Sequence, residues 1–143
     1  PVMLADQKRV PPMKYFNYIV AGLLGLAFIA GSIVYFFDLA PAPPFPKGSP
    51  IEQFMAAMIP TGYMTFVKSC ELLGGILVAI PRTRNLGLLF LGPVILNIIA
   101  FHAFVAKAGL FDPPLILISL IALYLLWLER HAFITLVTRK PIP

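Results

Sequence analysis

Residues 61–102 read TGYMTFVKSCELLGGILVAIPRTRNLGLLFLGPVILNIIAFH. Two apolar runs meet here at a basic turn, Pro81-Arg82-Thr83-Arg84. Each run is about 20 residues long, the length a helix rising about 1.5 Å per residue needs to cross a hydrocarbon core about 30 Å thick. Pro81 follows the first run and cannot comfortably extend it as helix. The pair therefore reads as two membrane spans joined by a tight turn, Thr61–Ile80 and Leu86–Ala106.

Working outward, Tyr15–Phe37 carries no charge, and Leu110–Leu128 is almost purely aliphatic after Asp112. Asp112-Pro113 offers an N-cap oxygen followed by a proline whose missing N–H costs nothing in a first helical turn. Tyr15 and Trp127 stand where an aromatic belt would lie. The first run is too long for a signal-peptide core and lacks a small-residue cleavage site after it, so it reads as a span. The expectation is an all-α polytopic membrane protein, a four-transmembrane-helix bundle forming one domain over residues 1–143.

Composition agrees. Of 143 residues, 59% are hydrophobic and only 12% charged, against roughly half and a quarter in soluble domains. A lone Cys70 excludes an internal disulfide, a CxxC redox pair and a thiolate metal cage. The formal charge of +5 does not form a basic patch interleaved with aromatics, so no nucleic acid is expected. Instead the cations flank the spans. Lys8, Arg9, Lys14, Arg82, Arg84, Arg130, Arg139 and Lys140 fall on one side, and Lys47 and Lys107 on the other. That bias puts both termini in the cytoplasm, with a bacterial inner membrane the expected location.

The first outer segment, residues 40–60, is PAPPFPKGSPIEQFMAAMIP with one residue, Ala40, at its head. Its prolines make a stiff approach. Ser49-Pro50-Ile51-Glu52 matches a capping box with proline at the first helical position. Phe54, Met55, Met58 and Ile59 follow at helical spacing, predicting a short interfacial helix over about 50–59 that lies on the outer surface or roofs the bundle.

Polar residues inside spans are costly and need partners, water or an escape route. Counted from the outer ends, His102 lies about 6 Å deep, Ser32 about 8 Å, Lys68 and Ser119 about 10 Å, and Asn97 and Glu71 about 14–15 Å. The outer half is thus polar and the inner half nearly dry. Lys68 and Glu71, three apart, share a helix face and can pair, with Asn97 joining them. Asn97 and His102 are five apart, about 140° round a regular helix, so they should not both face that pair. Pro93 predicts a kink near Leu89. Gly22, Gly25, Gly31, Gly74, Gly75 and Gly87, with Ala27, would permit close helix contact.

The cluster Lys68, Glu71, Asn97 and His102, with Tyr63, Ser32 and Ser119, has three readings. It is a buried staple that fixes helix register, a quinone or lipid pocket open to the outer leaflet, or a translocation path. The dry inner half weakens the last. No metal site is expected, and no nucleophile elbow, phosphate loop, HExxH or dinucleotide motif is present.

The stretch quoted at the outset resembles the DoxX-like family of small four-helix membrane proteins. Members similarly carry a Lys and a Glu early in a second span, then Gly-Gly, a basic turn, and a Pro…Asn…Phe-His third span. The matching positions are Lys68, Glu71, Gly74, Gly75, Arg82, Arg84, Pro93, Asn97, Phe101 and His102. The family takes its name from small subunits of a terminal quinol oxidase and of thiosulfate:quinone oxidoreductase, and its animal relatives include a chaperone for receptor assembly. The resemblance implies a non-catalytic accessory subunit of a larger respiratory or redox complex, with a quinone or lipid contact and no intrinsic cofactor. The alternatives are a stand-alone hydrophobic-ligand binding protein or transporter, or an assembly chaperone. Membrane lipids and the subunits of that complex are the expected partners.

Overall fold

The computed structural model describes residues 12–138, and every regular element among them is helical. Helix α1 spans Pro12–Phe36, α2 Pro50–Met58, α3 Tyr63–Ala79 and α4 Arg84–Ala100, which runs on into a π-helical segment, Phe101–Ala106. Helices α5, Pro113–Leu128, and α6, Arg130–Val137, complete the described residues. Two continuous helices, Met13–Phe36 and Arg84–Ala106, are long and apolar enough to cross a membrane. The number rises to four if two bent pairs each count as one span: α2 with α3, bent by 82°, and α5 with α6, bent by 69°.

A buried stripe, mostly of small and apolar residues but including Glu71 and Arg84, recurs every three or four positions on each of the first long helices. On α1 it is Ala21, Leu24, Gly25, Phe28 and Ser32; on α3 Glu71, Gly74, Gly75 and Val78; on α4 Arg84, Gly87, Leu88, Leu91 and Ile95. That spacing is one face of a 3.6-residue helix, and the three faces close on one another and on Ala122 and Leu125 of α5 to form a single core. The closest approaches are at glycine. A Cβ on Gly25 would meet the Gly75 carbonyl at 2.5 Å, one on Gly74 would meet Leu91 at 2.7 Å, and one on Gly87 would overlap the backbone of Val78. Gly22 and Gly31, also expected at helix contacts, have nothing within 4 Å. They point away from the core.

Outside this narrow core the chain is as apolar as within it. Leu23, Leu26, Phe66, Leu96, Leu117, Leu120 and Leu123 are all largely exposed. Water would not tolerate such a surface on a monomer, whereas lipid costs it nothing.

Local chemistry explains the ends. Ser49 caps α2, its hydroxyl accepting from the Glu52 amide at 3.3 Å, while the Glu52 carboxylate accepts from the Gly48 amide. This is a capping box shifted back by one residue. Asp112 does stand at the N-cap of α5, but its side chain makes no capping bond; its carbonyl accepts from Leu115 and Ile116 instead. Two features depart from expectation. The last turns of the third apolar run widen into π geometry before the chain turns through Lys107 and Gly109, both at positive φ. Beyond Leu128, the end of the last expected span, the chain forms a further helix, α6, with Phe133, Ile134, Leu136 and Val137. Of the basic residues used to orient the chain, Lys8, Arg9, Arg139 and Lys140 lie outside the described residues.

Candidate functional site

The polar cluster assembles where α2, α3 and the widened end of α4 meet. Lys68 Nζ donates to Glu71 Oε2 at 2.7 Å, joining residues one helical turn apart. The Glu71 side chain is 6% exposed and that of Lys68 24%. Glu71 belongs to the buried stripe of α3, whereas Lys68 stands at its edge, reaching inward. Ser32 fixes the backbone beneath it. Its hydroxyl is fully buried and lies 2.8 Å from the Phe28 carbonyl and 3.2 Å from that of Lys68, tying α1 to α3 at this level.

Beside the ion pair is a cavity of about 280 Å³ lined by Lys68, Glu71, Asn97 and His102 together with Phe54, Met55, Met58, Met64, Val67, Ile98 and Phe101. Asn97, from the last turn of α4, and His102, at the start of the π-helical segment, thus border the same space although they are five residues apart. The His102 ring is held by its Nδ1, 2.8 Å from the Ile98 carbonyl. A carbonyl oxygen only accepts, so Nδ1 carries the hydrogen and, in the neutral ring, Nε2 keeps its lone pair. Asn97 lines the cavity without hydrogen-bonding to the ion pair.

Helix α2 supplies the roof. Phe54 packs against Phe101 with ring centroids 5.3 Å apart, and Met55 and Met58 cover the polar atoms with flexible apolar side chains. On its other flank a larger cavity of about 400 Å³ shares Met55, Met64 and Lys68 and adds Tyr35 and Asp38. Lys68 is therefore common to both spaces. His102 in turn also borders a third cavity of about 400 Å³ with Lys107 and Asp112, beyond the π-helical segment.

Four of the seven residues expected at the site, Lys68, Glu71, Asn97 and His102, come together. Ser32 supports them from behind. Tyr63 does not join: it is 54% exposed and packs beside Phe66. Ser119 hydrogen-bonds to Leu115 at 2.7 Å and lines a separate apolar cavity between α4 and α5. Among the described residues no group of three or more His, Cys, Asp or Glu side chains is placed to hold a metal ion.

The opposite end of the core is not dry. Arg84 is buried, with Nη1 3.4 Å from Glu129 Oε1 and its guanidinium 5.7 Å from the Tyr18 ring centroid. Nearby, Tyr124 donates to Asn17 Oδ1 at 2.7 Å. Using Arg84 only as a topology signal and a position of the resemblance missed this. A signal for it exists, because Arg84 continues the Gly87, Leu88, Leu91 stripe at helical spacing. The widened turn at Phe101 has no comparable sequence signature.

No protein-family model matches this chain, and no solved structure matches it. Over 80 residues it is 34% identical to a Bacillus subtilis (strain 168) protein called uncharacterized protein YwoB, a stretch that covers 56% of this chain. The chain spans about half that protein's length, 51%. The relative's name attaches no activity, so the functional argument rests on the site.

Proposed function

We propose that this chain is a four-span integral membrane protein of the DoxX-like kind that holds the polar head of a hydrophobic ligand, a quinone or a lipid, in the cavity beneath α2. One observation carries the reading: Lys68, Glu71, Asn97 and His102 converge on a single cavity whose remaining walls are methionine, phenylalanine and aliphatic side chains. A few placed polar groups in an apolar enclosure are what orient a ligand with one polar end. Lys68 and the Asn97 amide donate to a carbonyl oxygen, and Glu71 and His102 Nε2 accept from a hydroxyl. The cavity's volume is at the lower end for a ligand site, which suits a head group whose tail leaves toward lipid. An ion pair serving only as a staple would need neither the empty space nor the methionine roof.

In this reading α1, α3, α4 with its π-helical extension, and α5 are the spans, α2 and α6 lie at opposite membrane faces, and both ends of the chain are cytoplasmic. At 17 and 16 residues, α3 and α5 cover only about 25 Å each, so the bilayer thins or flanking side chains reach out to meet them. The bacterial relative agrees with a bacterial cytoplasmic membrane. The chain then acts as a non-catalytic accessory subunit, presenting or storing the ligand for a larger respiratory or redox complex. The face of α5 that carries Leu117, Leu120 and Leu123, largely exposed among the described residues, is available to a partner helix.

The test is mild purification from the native membrane, followed by mass spectrometry of co-eluting proteins and of extracted quinones and lipids. A quinone or single lipid species recovered near one per chain, and lost from an Asn97→Leu/His102→Leu variant that still folds, supports the reading. Equal extraction from both proteins refutes it.

A further inference from the structure

The buried end of Arg84 has donors without acceptors. Its Nη1 faces Glu129 at 3.4 Å, long for a charge-assisted pair, for which about 2.7–2.9 Å is usual. Its Nε and Nη2 are shut off from solvent and have no hydrogen-bond partner among the described residues. A buried guanidinium left with open N–H groups is destabilising, and Nε with Nη2 is the edge that meets two oxygens of an oxyanion side-on. The Tyr18 ring lies over the face of the guanidinium, 5.7 Å from it to the centroid, and Tyr18 is itself 43% exposed.

The surroundings select for negative charge. Lys14 is one turn before Tyr18 on the same face of α1, Arg82 is in the turn just before α4, and Arg130, next to Glu129 in the chain, is exposed and donates to the Trp127 carbonyl at 2.8 Å with its guanidinium over the Trp127 ring. These segments hold four cations and one carboxylate. The start of α4 adds to this potential. Thr83, its N-cap residue, spends its hydroxyl on the Leu77 carbonyl at 2.8 Å and caps nothing, leaving the first-turn amides without a side-chain acceptor.

We propose that Arg84, flanked by Lys14, Arg82 and Arg130, is a phosphate-binding site at this end of the molecule. The phosphate comes from an anionic lipid head group or from free phosphate, and the site is separate from the cavity beneath α2.

The experiment uses the full chain in an uncharged detergent. Native mass spectrometry compares retention of phosphatidylglycerol and phosphatidylcholine, and thermal unfolding compares sodium phosphate with sodium chloride at equal ionic strength. Preferential retention of phosphatidylglycerol assigns a lipid head group; protection by phosphate over chloride assigns a free ion. The variant Arg84→Lys keeps the charge but loses the two-bond edge. It should lower the preference about tenfold, equivalent to one hydrogen bond of about 1.4 kcal/mol. Arg84→Gln/Glu129→Gln, which leaves no orphaned carboxylate, should abolish it with helix content intact. Arg82→Gln/Arg130→Gln should weaken it less than either. No preference in the unmodified protein in either assay overturns the site, whether or not the variants fold. So does a preference untouched by Arg84→Lys, or one lost equally with Arg82 and Arg130, which marks diffuse surface charge.

Discussion

Replacing Lys68 by alanine removes the only cation within hydrogen-bond reach of Glu71 among the described residues, leaving a carboxylate whose side chain is 6% exposed. Breaking a buried pair in this way costs about 3–5 kcal/mol, because the remaining charge keeps its desolvation penalty and loses its compensation. Lys68 is itself 24% exposed, and the adjoining cavities let some water approach, so the lower end applies, about 3 kcal/mol. Such a loss shifts the folding equilibrium more than a hundredfold. Lys68→Met/Glu71→Leu removes both charges while keeping much of the volume, and should return stability to within about 1 kcal/mol of the unmodified protein. A double-mutant cycle should therefore show strong coupling. The assay is reversible unfolding in mixed micelles with rising dodecyl sulfate, followed by circular dichroism, with extracted ligand quantified from the same samples. The proposed function adds a second requirement: the double variant folds but carries no ligand. A Lys68→Ala protein within 1 kcal/mol of the original refutes the energetic argument. A double variant that is stable and still fully loaded refutes the binding role of the pair.

His102→Leu should leave the thermal midpoint nearly unchanged while reducing ligand retention up to about tenfold, the worth of one hydrogen bond. Tyr63→Phe and Ser119→Ala, measured by the same extraction, should retain ligand normally because neither side chain borders the cavity. Gly75→Val and Gly87→Ala should each lower the thermal midpoint sharply, since the added atoms meet backbone. Gly22→Ala and Gly31→Ala, with no atom within 4 Å, should be neutral or raise stability by about 0.5–1 kcal/mol, the helical cost of glycine. Orientation is checked by replacing Cys70 with alanine and adding single cysteines. Position 49 should label from outside intact cells and position 131 only after permeabilisation, and the reverse pattern rejects the proposed topology.

Much of the architecture is local and therefore readable along the chain. Runs free of charge, Pro81 at the end of α3, Pro113 at the start of α5 and the Ser49–Glu52 box mark helices within a few residues of where they form, since each reflects a backbone constraint acting over one turn. The Lys68–Glu71 pair is legible for the same reason: two residues three apart on a helix have no freedom to avoid each other. Even Ser32 fits this description, sitting at helical spacing from Phe28 and Leu24.

What the helices do to one another was not readable. Asn97 and His102 border one cavity although they are five residues apart, and nothing in Ile98-Ile99-Ala100-Phe101-His102 announces the widened turn that begins at Phe101. Arg84 and Arg82 are alike as letters, but α4 packs so that one is buried under Tyr18 against Glu129 and the other is exposed. Gly25 and Gly22 are likewise the same residue with opposite surroundings. Sequence by itself determined a helical chain with runs long and apolar enough to cross a membrane and the Lys68–Glu71 ion pair, because hydrophobic length and helical spacing are properties of single segments. Which polar groups share a space, which arginine is enclosed and which glycine touches a neighbour were decided only by the tertiary structure, because those depend on the rotation and depth of helices far apart in the chain.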